Sequence, residues 1–376
     1  MSPTVSSLAR LLALSALALH VCFAQAQGSL RPSGFASLVV GKVLGGDDDT
    51  LSPTASCPCF IADWGHGGVY GPRWQAKQES KLGVQAVYTL TPALSATAQV
   101  VGRGVDGIKA DLEWAFVSWK AAPGWELQVG RKRLPLYFYS DFQDVGYAYP
   151  WVRVPPDVYG WDIINYDGAN LSYTTELGNW TMRANAYGGS SRTKDNLYTR
   201  FYYADRQDVA WKGMRGADIE LANDWLTLRA NYHRSRASQL DYGSGVAREL
   251  IDPSSNSHTA YGLAANAELG NWLIRTEAGA FDRSRYLYKA RFHLVGAGYR
   301  MGKFTPMLTV SNYREFYPDP ADAALAQRFA TTSLTLRYEV TAAMALKFQY
   351  DALRDSSIDR YNGSARVVAV SLDTVF

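Results

Sequence analysis

Three arginines, Arg183, Arg229 and Arg275, follow three tryptophans, Trp180, Trp225 and Trp272, at nearly constant offsets. Three glutamates, Glu176, Glu220 and Glu268, precede the same tryptophans. A guanidinium is a permanent cation whose planar fork of donors grips carboxylates and stacks on flat faces. Arginines repeated beside glutamates therefore suit the charged wall of a polar passage, where a transverse field would orient a solute. They also suit a lattice of ion pairs with a purely structural role, and both readings stand at this point. Hydrolytic chemistry needs a nucleophile, a base and an orienting group in reach of one another. Beyond residue 26 the histidines are His66, His233, His258 and His293, and neither G-x-S-x-G nor H-E-x-x-H occurs.

The elements that must position the arginines are hairpins. In Gly168–Gly188, Ala169, Leu171, Tyr173, Thr175 and Leu177 alternate with Asn170, Ser172, Thr174 and Glu176. After Gly178-Asn179, Trp180, Met182, Ala184 and Ala186 alternate with Thr181, Arg183, Asn185 and Tyr187. Alternation with period two gives each arm one apolar and one polar face, and a Gly-Asn pair between such arms marks a hairpin turn. The pattern returns at Glu220–Trp225 and Glu268–Trp272, spacing the tryptophans by 45 and 47 residues. Propeller blades and helical repeats also have such periods. Arms of about ten residues, joined by short turns at one end and long loops at the other, instead match an all-β, transmembrane antiparallel β-barrel.

Composition agrees. Tyr, Trp and Phe number 24, 11 and 14, while charged residues make up 19%, which suits a barrel with one lipid face and one wet face. A net charge of +3 argues against a nucleic-acid partner. Residues 1–26 read as a secretory signal peptide, with Arg10 before an apolar Leu11–Ala24 and Ala24-Gln25-Ala26 as the cleavage pattern. After that no apolar run reaches the ~18 residues of a transmembrane helix, so 27–376 is expected to be one barrel domain. Cys57 and Cys59 are the cysteines left after cleavage and suggest a small loop disulfide; the spacing is too short for a zinc loop, and no metal is expected.

Tight turns are expected at Thr91, Pro123, Gly178, Ala222, Gly270, Gly302 and Thr341. Seven hairpins and one strand at each end, Gly34–Val43 and Ser364–Phe376, make about sixteen strands. An even count puts both termini on one side, and closure removes edges that lipid could not satisfy. If the tryptophans face lipid, parity sends Arg183, Arg229 and Arg275 inward, with Glu176, Glu220 and Glu268 diagonal to them. The same parity adds Arg337, Lys347, Glu339 and Asp351 to the lumen. Leu112, Trp114 and Phe116 are expected to share a face, and His233 to face the lumen or, by preference, to lie in the girdle or at a loop edge.

The longest stretch without a pattern is Leu134–Tyr166. It carries more rings than a freely solvated loop needs, and Pro150, Pro155 and Pro156 stiffen it. This predicts a constriction loop folded into the barrel. Asp141, Asp144 and Asp157 would oppose the basic wall, Tyr147, Tyr149 and Trp151 would graze a solute, and Arg153 lies in the same stretch. A lid or a subunit contact outside the barrel would use the same rings.

The last strand alternates Val368, Val370 and Leu372 and stops on Phe376. That ending resembles the terminal recognition signal of Gram-negative outer-membrane proteins. With the strand count, leader and long third loop, the chain resembles the sixteen-strand outer-membrane porins. The resemblance implies a third extracellular loop that narrows the barrel, a homotrimer, and Phe376 read by the barrel assembly machinery. It implies outer-membrane lipid and lipopolysaccharide around the barrel, small polar or charged solutes inside it, and no cofactor. Leu134–Tyr166 lacks the Pro-Glu-Phe-Gly-Gly kind of motif of general porins, which leaves the solute open. An outer-membrane hydrolase and an adhesin or scaffold are the alternatives, separable by substrate hydrolysis and by ion conductance.

Overall fold

The computed structural model describes residues 28–376 apart from 54, 106, 108, 162, 244–247, 252–256 and 284–287, so the expected leader lies outside the described residues. Its strands are β1 (Ser29–Gly46), β2 (Phe60–Asp63), β3 (Gly68–Tyr70), β4 (Lys81–Thr91), β5 (Leu94–Arg103) and β6 (Lys109–Ala122). They continue as β7 (Trp125–Arg133), β8 (Asn165–Leu177), β9 (Trp180–Thr193), β10 (Gln207–Ala222), β11 (Leu226–Asp241), β12 (Arg248–Ile251) and β13 (Ser257–Leu269). The last are β14 (Trp272–Arg283), β15 (Tyr288–Tyr299), β16 (Phe304–Phe316), β17 (Arg328–Thr341), β18 (Met344–Asp355) and β19 (Ala365–Val375).

Without β2, β3 and β12 these form a closed antiparallel barrel of sixteen strands. Each strand pairs with the next, and β1 closes the ring against both β4 and β19. Closure pairs the backbone groups that hydrocarbon cannot satisfy. Gly178 and Gly270, at φ 64° and 60°, make the turns before Asn179 and Asn271 in a region other residues enter at a cost. At the seam Phe376 exchanges both backbone hydrogen bonds with Gly34, at 2.7 and 2.9 Å, and points outward.

Strand alternation sorts the faces. Leu82, Val84, Leu263, Leu334, Leu346 and Leu372 are exposed on the outside, while Gln99, Thr309, Ser333, Gln349 and Ser371 are buried on the inside. Near the short turns, Trp125 packs on Tyr173, Trp272 on Tyr299 and Phe304 on Tyr338, with centroids 4.7, 5.0 and 4.8 Å apart. This is an aromatic girdle.

Leu112, Trp114 and Phe116 do not share a face. The register slips between Gln99 and Val100, which lie opposite Trp114 and Leu112 respectively. The bulge at Glu113 leaves Leu112 outward and 48% exposed, and turns Phe116 inward with Lys132 5.3 Å over its ring. Of the two positions open to His233, the structure has the inward one and not the girdle or edge: it is buried on the inner wall, hydrogen-bonded to Tyr187 and Ser235 at 3.0 Å each.

Two loops fill the barrel. The third, residues 134–164, packs Tyr137, Tyr139, Trp151, Tyr159 and Trp161 against inward residues Trp211, Phe281, Phe292, Leu294 and Met307. Fully burying one such side chain is worth about 1.5–3 kcal/mol, so the rings hold the loop to the wall. The first loop, 47–80, also turns inward through the β2–β3 hairpin, whose Phe60 and Tyr70 pack on Val43, Ala365 and Val367. Cys57 and Cys59 are disulfide-bonded in this loop.

Candidate functional site

Barrel side chains donate to backbone carbonyls of the third loop. Arg337 donates to the Tyr147 and Tyr149 carbonyls at 2.7 and 2.9 Å, while pairing with Glu339 at 2.6 Å. Lys347 donates to the carbonyls of Gly146 and Trp151, the latter at 2.8 Å, and pairs with Asp373 at 3.1 Å. Trp151 donates its indole N–H to Thr309 Oγ1 at 2.8 Å. Arg153 bridges Glu79 at 2.5 Å and Asp351 at 2.6 Å, with its guanidinium 5.4 Å from the Phe60 ring and 5.5 Å from the Tyr70 ring. Both inward loops meet at this arginine.

Asp144 anchors the loop near its start. Its carboxylate lies 2.6 Å from Arg133, 2.9 Å from Arg103 and 3.3 Å from Lys81, and Glu113 completes the cluster at 2.7 Å from Arg103. Burial raises the carboxyl of Asp144, but Arg103, Arg133 and Lys81 outweigh it and hold the group well below the usual carboxylate range. Asp157 stands in the opposite situation. Burial pushes it up to about 6 although Ser311 donates to it at 2.8 Å. Seating through Asp144 is therefore present above its ordinary pKa and lost as pH falls through the depressed value; seating through Asp157 is lost as pH rises through about 6.

These contacts correct several expectations. Lys347 and Asp351 face inward, as parity requires, but are 1% exposed because the loop covers them, so they do not line a passage. Tyr149, Trp151 and Arg153 are buried against the wall rather than offered to a solute. Asp144 and Asp157 meet β4–β7 and β16, not the wall that carries Arg183 and Arg229. Tyr147 stays at the loop surface, donating to the Ala342 carbonyl at 2.8 Å beneath the Arg337 guanidinium. Nor is the arginine ladder continuous. Arg275 pairs with Glu268 at 2.9 Å, and Arg300 takes the other oxygen at 2.8 Å, near the short-turn end. Glu176 accepts from Thr181 at 3.0 Å and meets no arginine among the described residues.

Arg183, Glu220 and Arg229 do come together, as direct neighbours across β9, β10 and β11. They share a cavity of about 230 Å³ with Lys132 and Asp218 on the wall and Phe138, Asp141 and Phe142 on the third loop. Arg229 is fixed, 3.4 Å from Asp218 and donating to the carbonyls of Pro135 and Phe138 at 3.3 and 3.4 Å. Lys132, Asp141, Arg183 and Glu220 form no ion pair among the described residues. Lys132 was legible in the sequence: with Trp125, Leu127 and Val129 outward, alternation places it inward. Glu79 gave no such signal, because it lies in the first loop and its partner Arg153 lies in the third.

Residues 13–370 match the family profile described as Gram-negative porin. Among solved structures, the chain is similar to the outer membrane channel DcaP of Acinetobacter baumannii, with TM-score 0.59 and 10% identity over 94% of this chain and 99% of that one. It is also similar to an anion-selective porin from Comamonas acidovorans, with TM-score 0.54 and 15% identity over 93% and 100%. Salmonella typhi OmpF gives TM-score 0.60 and 12% identity over 92% and 97%. At these identities the likeness shows the fold alone, and no curated sequence matches the chain. The match over most of its length assigns the chain to the Gram-negative porins, barrels of the bacterial outer membrane.

Proposed function

We propose that the chain is a passive diffusion channel for small polar or charged solutes, narrowed between the third loop and the β7–β11 wall, and that it is not a hydrolase. The observation that carries this reading is the set of charged groups without ion pairs among the described residues, Lys132, Asp141, Arg183 and Glu220, around one cavity inside the barrel. Charges that held the fold would be paired and covered, as Asp144 and Lys347 are. Cations and carboxylates facing one another across a gap instead set up a transverse field in which a polar solute aligns. Single channels of the purified protein in planar bilayers should conduct ions in steady, long-lived steps. A barrel that inserts but passes no current is a scaffold, and cleavage of lipid or peptide substrates would support the hydrolase.

Lipopolysaccharide is the proposed partner of the outer surface. At the loop end of β15–β17 the outward residues Arg291, Arg314 and Arg328 lie directly opposite one another. Arg354 and Arg366 continue the arc on β18 and β19. Like charges paired across strands destabilise a sheet, and none of these arginines has a carboxylate partner among the described residues. On β4–β6 the outward residues are Leu82, Val100 and Leu112 instead. Phosphates of an outer-leaflet glycolipid would relieve the repulsion. Replacing Arg291, Arg314 and Arg328 with Ser should strip the lipopolysaccharide that co-purifies with the barrel in native mass spectra. Undiminished retention would refute this contact.

A further inference from the structure

We infer that the loop end of the lumen holds a second binding site, for a neutral polyhydroxylated ring the size of one monosaccharide. The cavity measures about 190 Å³ and lies among the tops of β10, β11 and β14–β16 and the loops that follow β9, β16 and β18. It is smaller than the ~300–1,000 Å³ that holds a drug-sized ligand, so it admits a single ring.

Two pairs of tyrosines form its walls. Tyr202 meets Tyr361 edge-on with centroids 5.0 Å apart, and Tyr288 lies 5.5 Å from Tyr317. The first wall is not a free loop. Tyr202 stacks on Trp64 of the first loop at 6.1 Å, and Tyr198 lies 5.5 Å from the same indole. A wall braced in this way is ordered before a ligand arrives, which lowers the cost of binding.

The polar lining selects the ligand class. Arg283 donates to the Tyr288 hydroxyl at 2.9 Å and lies 5.3 Å over its ring. Glu315 is buried and accepts from the Gln327 backbone N–H at 3.0 Å and from the Tyr313 hydroxyl at 2.8 Å. A ligand of either charge therefore meets one group of its own sign, and the aromatic cage already has a resident cation. Gln327 supplies the second, independent observation. It is 3% exposed, its amide nitrogen is bonded to the Leu325 and Asp359 carbonyls, and its Oε1 has no partner. A buried acceptor without a donor is costly, and a ligand hydroxyl would satisfy it. A flat hydrocarbon ring would stack between the tyrosines and leave that oxygen unpaired. A sugar offers C–H faces to the rings and hydroxyls to Gln327, Glu315 and Arg283 together.

The site rests on the channel reading only in that a solute must reach the lumen, and its test does not depend on conduction. The full barrel, folded in detergent, is titrated with glucose and galactose in a calorimeter, with benzoate and choline as charged-ring and cationic probes. A saturable hexose signal is expected, with neither charged probe competing. Gln327→Leu should weaken hexose binding roughly tenfold, the effect of one lost hydrogen bond, in a barrel that keeps its heat-modifiable migration. Tyr361→Ala, a change on a surface loop, should weaken it independently. Absence of hexose binding to the wild-type barrel, or wild-type affinity in both variants, overturns the proposal. Binding of benzoate or choline in preference to hexose overturns the ligand class. A barrel that binds hexose but passes no current would instead count against the channel.

Discussion

Asp144→Ala should unseat the base of the third loop and lower the temperature at which the folded barrel loses its compact migration. The carboxylate joins Arg103, Arg133 and Lys81, all within 3.3 Å. Removing it leaves two nearly buried guanidinium groups that share Glu113, with Asp111 3.7 Å from Arg103. Breaking a buried network by deleting one partner typically costs about 3–5 kcal/mol, because the remaining charges stay desolvated. Asp144→Asn keeps the shape and loses the charge, so it should cost nearly as much. Single channels of both variants should flicker, since the loop beyond residue 144 leads directly to the Arg337 and Lys347 clamps. Wild-type melting and quiet currents in both variants would mean that the cluster does not hold the loop.

The second large effect is on selectivity. Replacing Lys132 and Arg183 with Ala removes two wall cations that form no ion pair among the described residues, while Asp141 and Glu220 remain in the same cavity. A unit charge ~4 Å from a passing ion is worth about 1 kcal/mol even at the dielectric of water, or roughly fivefold in relative permeability per charge. Reversal potentials in a salt gradient should therefore move toward the cation potential. The shift should shrink near 1 M salt, where the Debye length is ~3 Å. Arg275→Ala serves as the comparison: Arg275 is paired with Glu268 outside the cavity and should change selectivity less. Equal reversal potentials for the double variant and the wild type at low salt would mean that these groups do not face the current.

The contrast between those arginines shows what a sequence can and cannot carry. Parity along β9 and β11 places Arg183 and Arg229 inward because strands with one lipid face and one wet face leave no other choice. Parity is silent about what later covers a side chain. Lys347 and Arg337 obey it, yet a loop some 190 to 200 residues away in the chain supplies their acceptors. The ring density of Leu134–Tyr166 pointed to burial, because so much aromatic area is not left in water. The first loop gave no comparable warning: its Gly, Asp and Pro residues mask the short segments around Phe60 and Tyr70 that enter the barrel. The bulge at Glu113 was hidden for a related reason, since one extra residue inverts a pattern that otherwise continues unbroken through Leu112, Trp114 and Phe116.

On the proposed reading, solutes and ions pass between the third loop and the wall that carries Arg183. The most direct test is Arg183→Cys in a single conducting channel, exposed to a small negatively charged thiol reagent while current is recorded. The native cysteines of the described chain are bonded to each other, so the new thiol is the one that reacts. Modification is expected to lower the conductance in a single step that a reductant reverses. Full modification, confirmed by mass, with no change in current would contradict it.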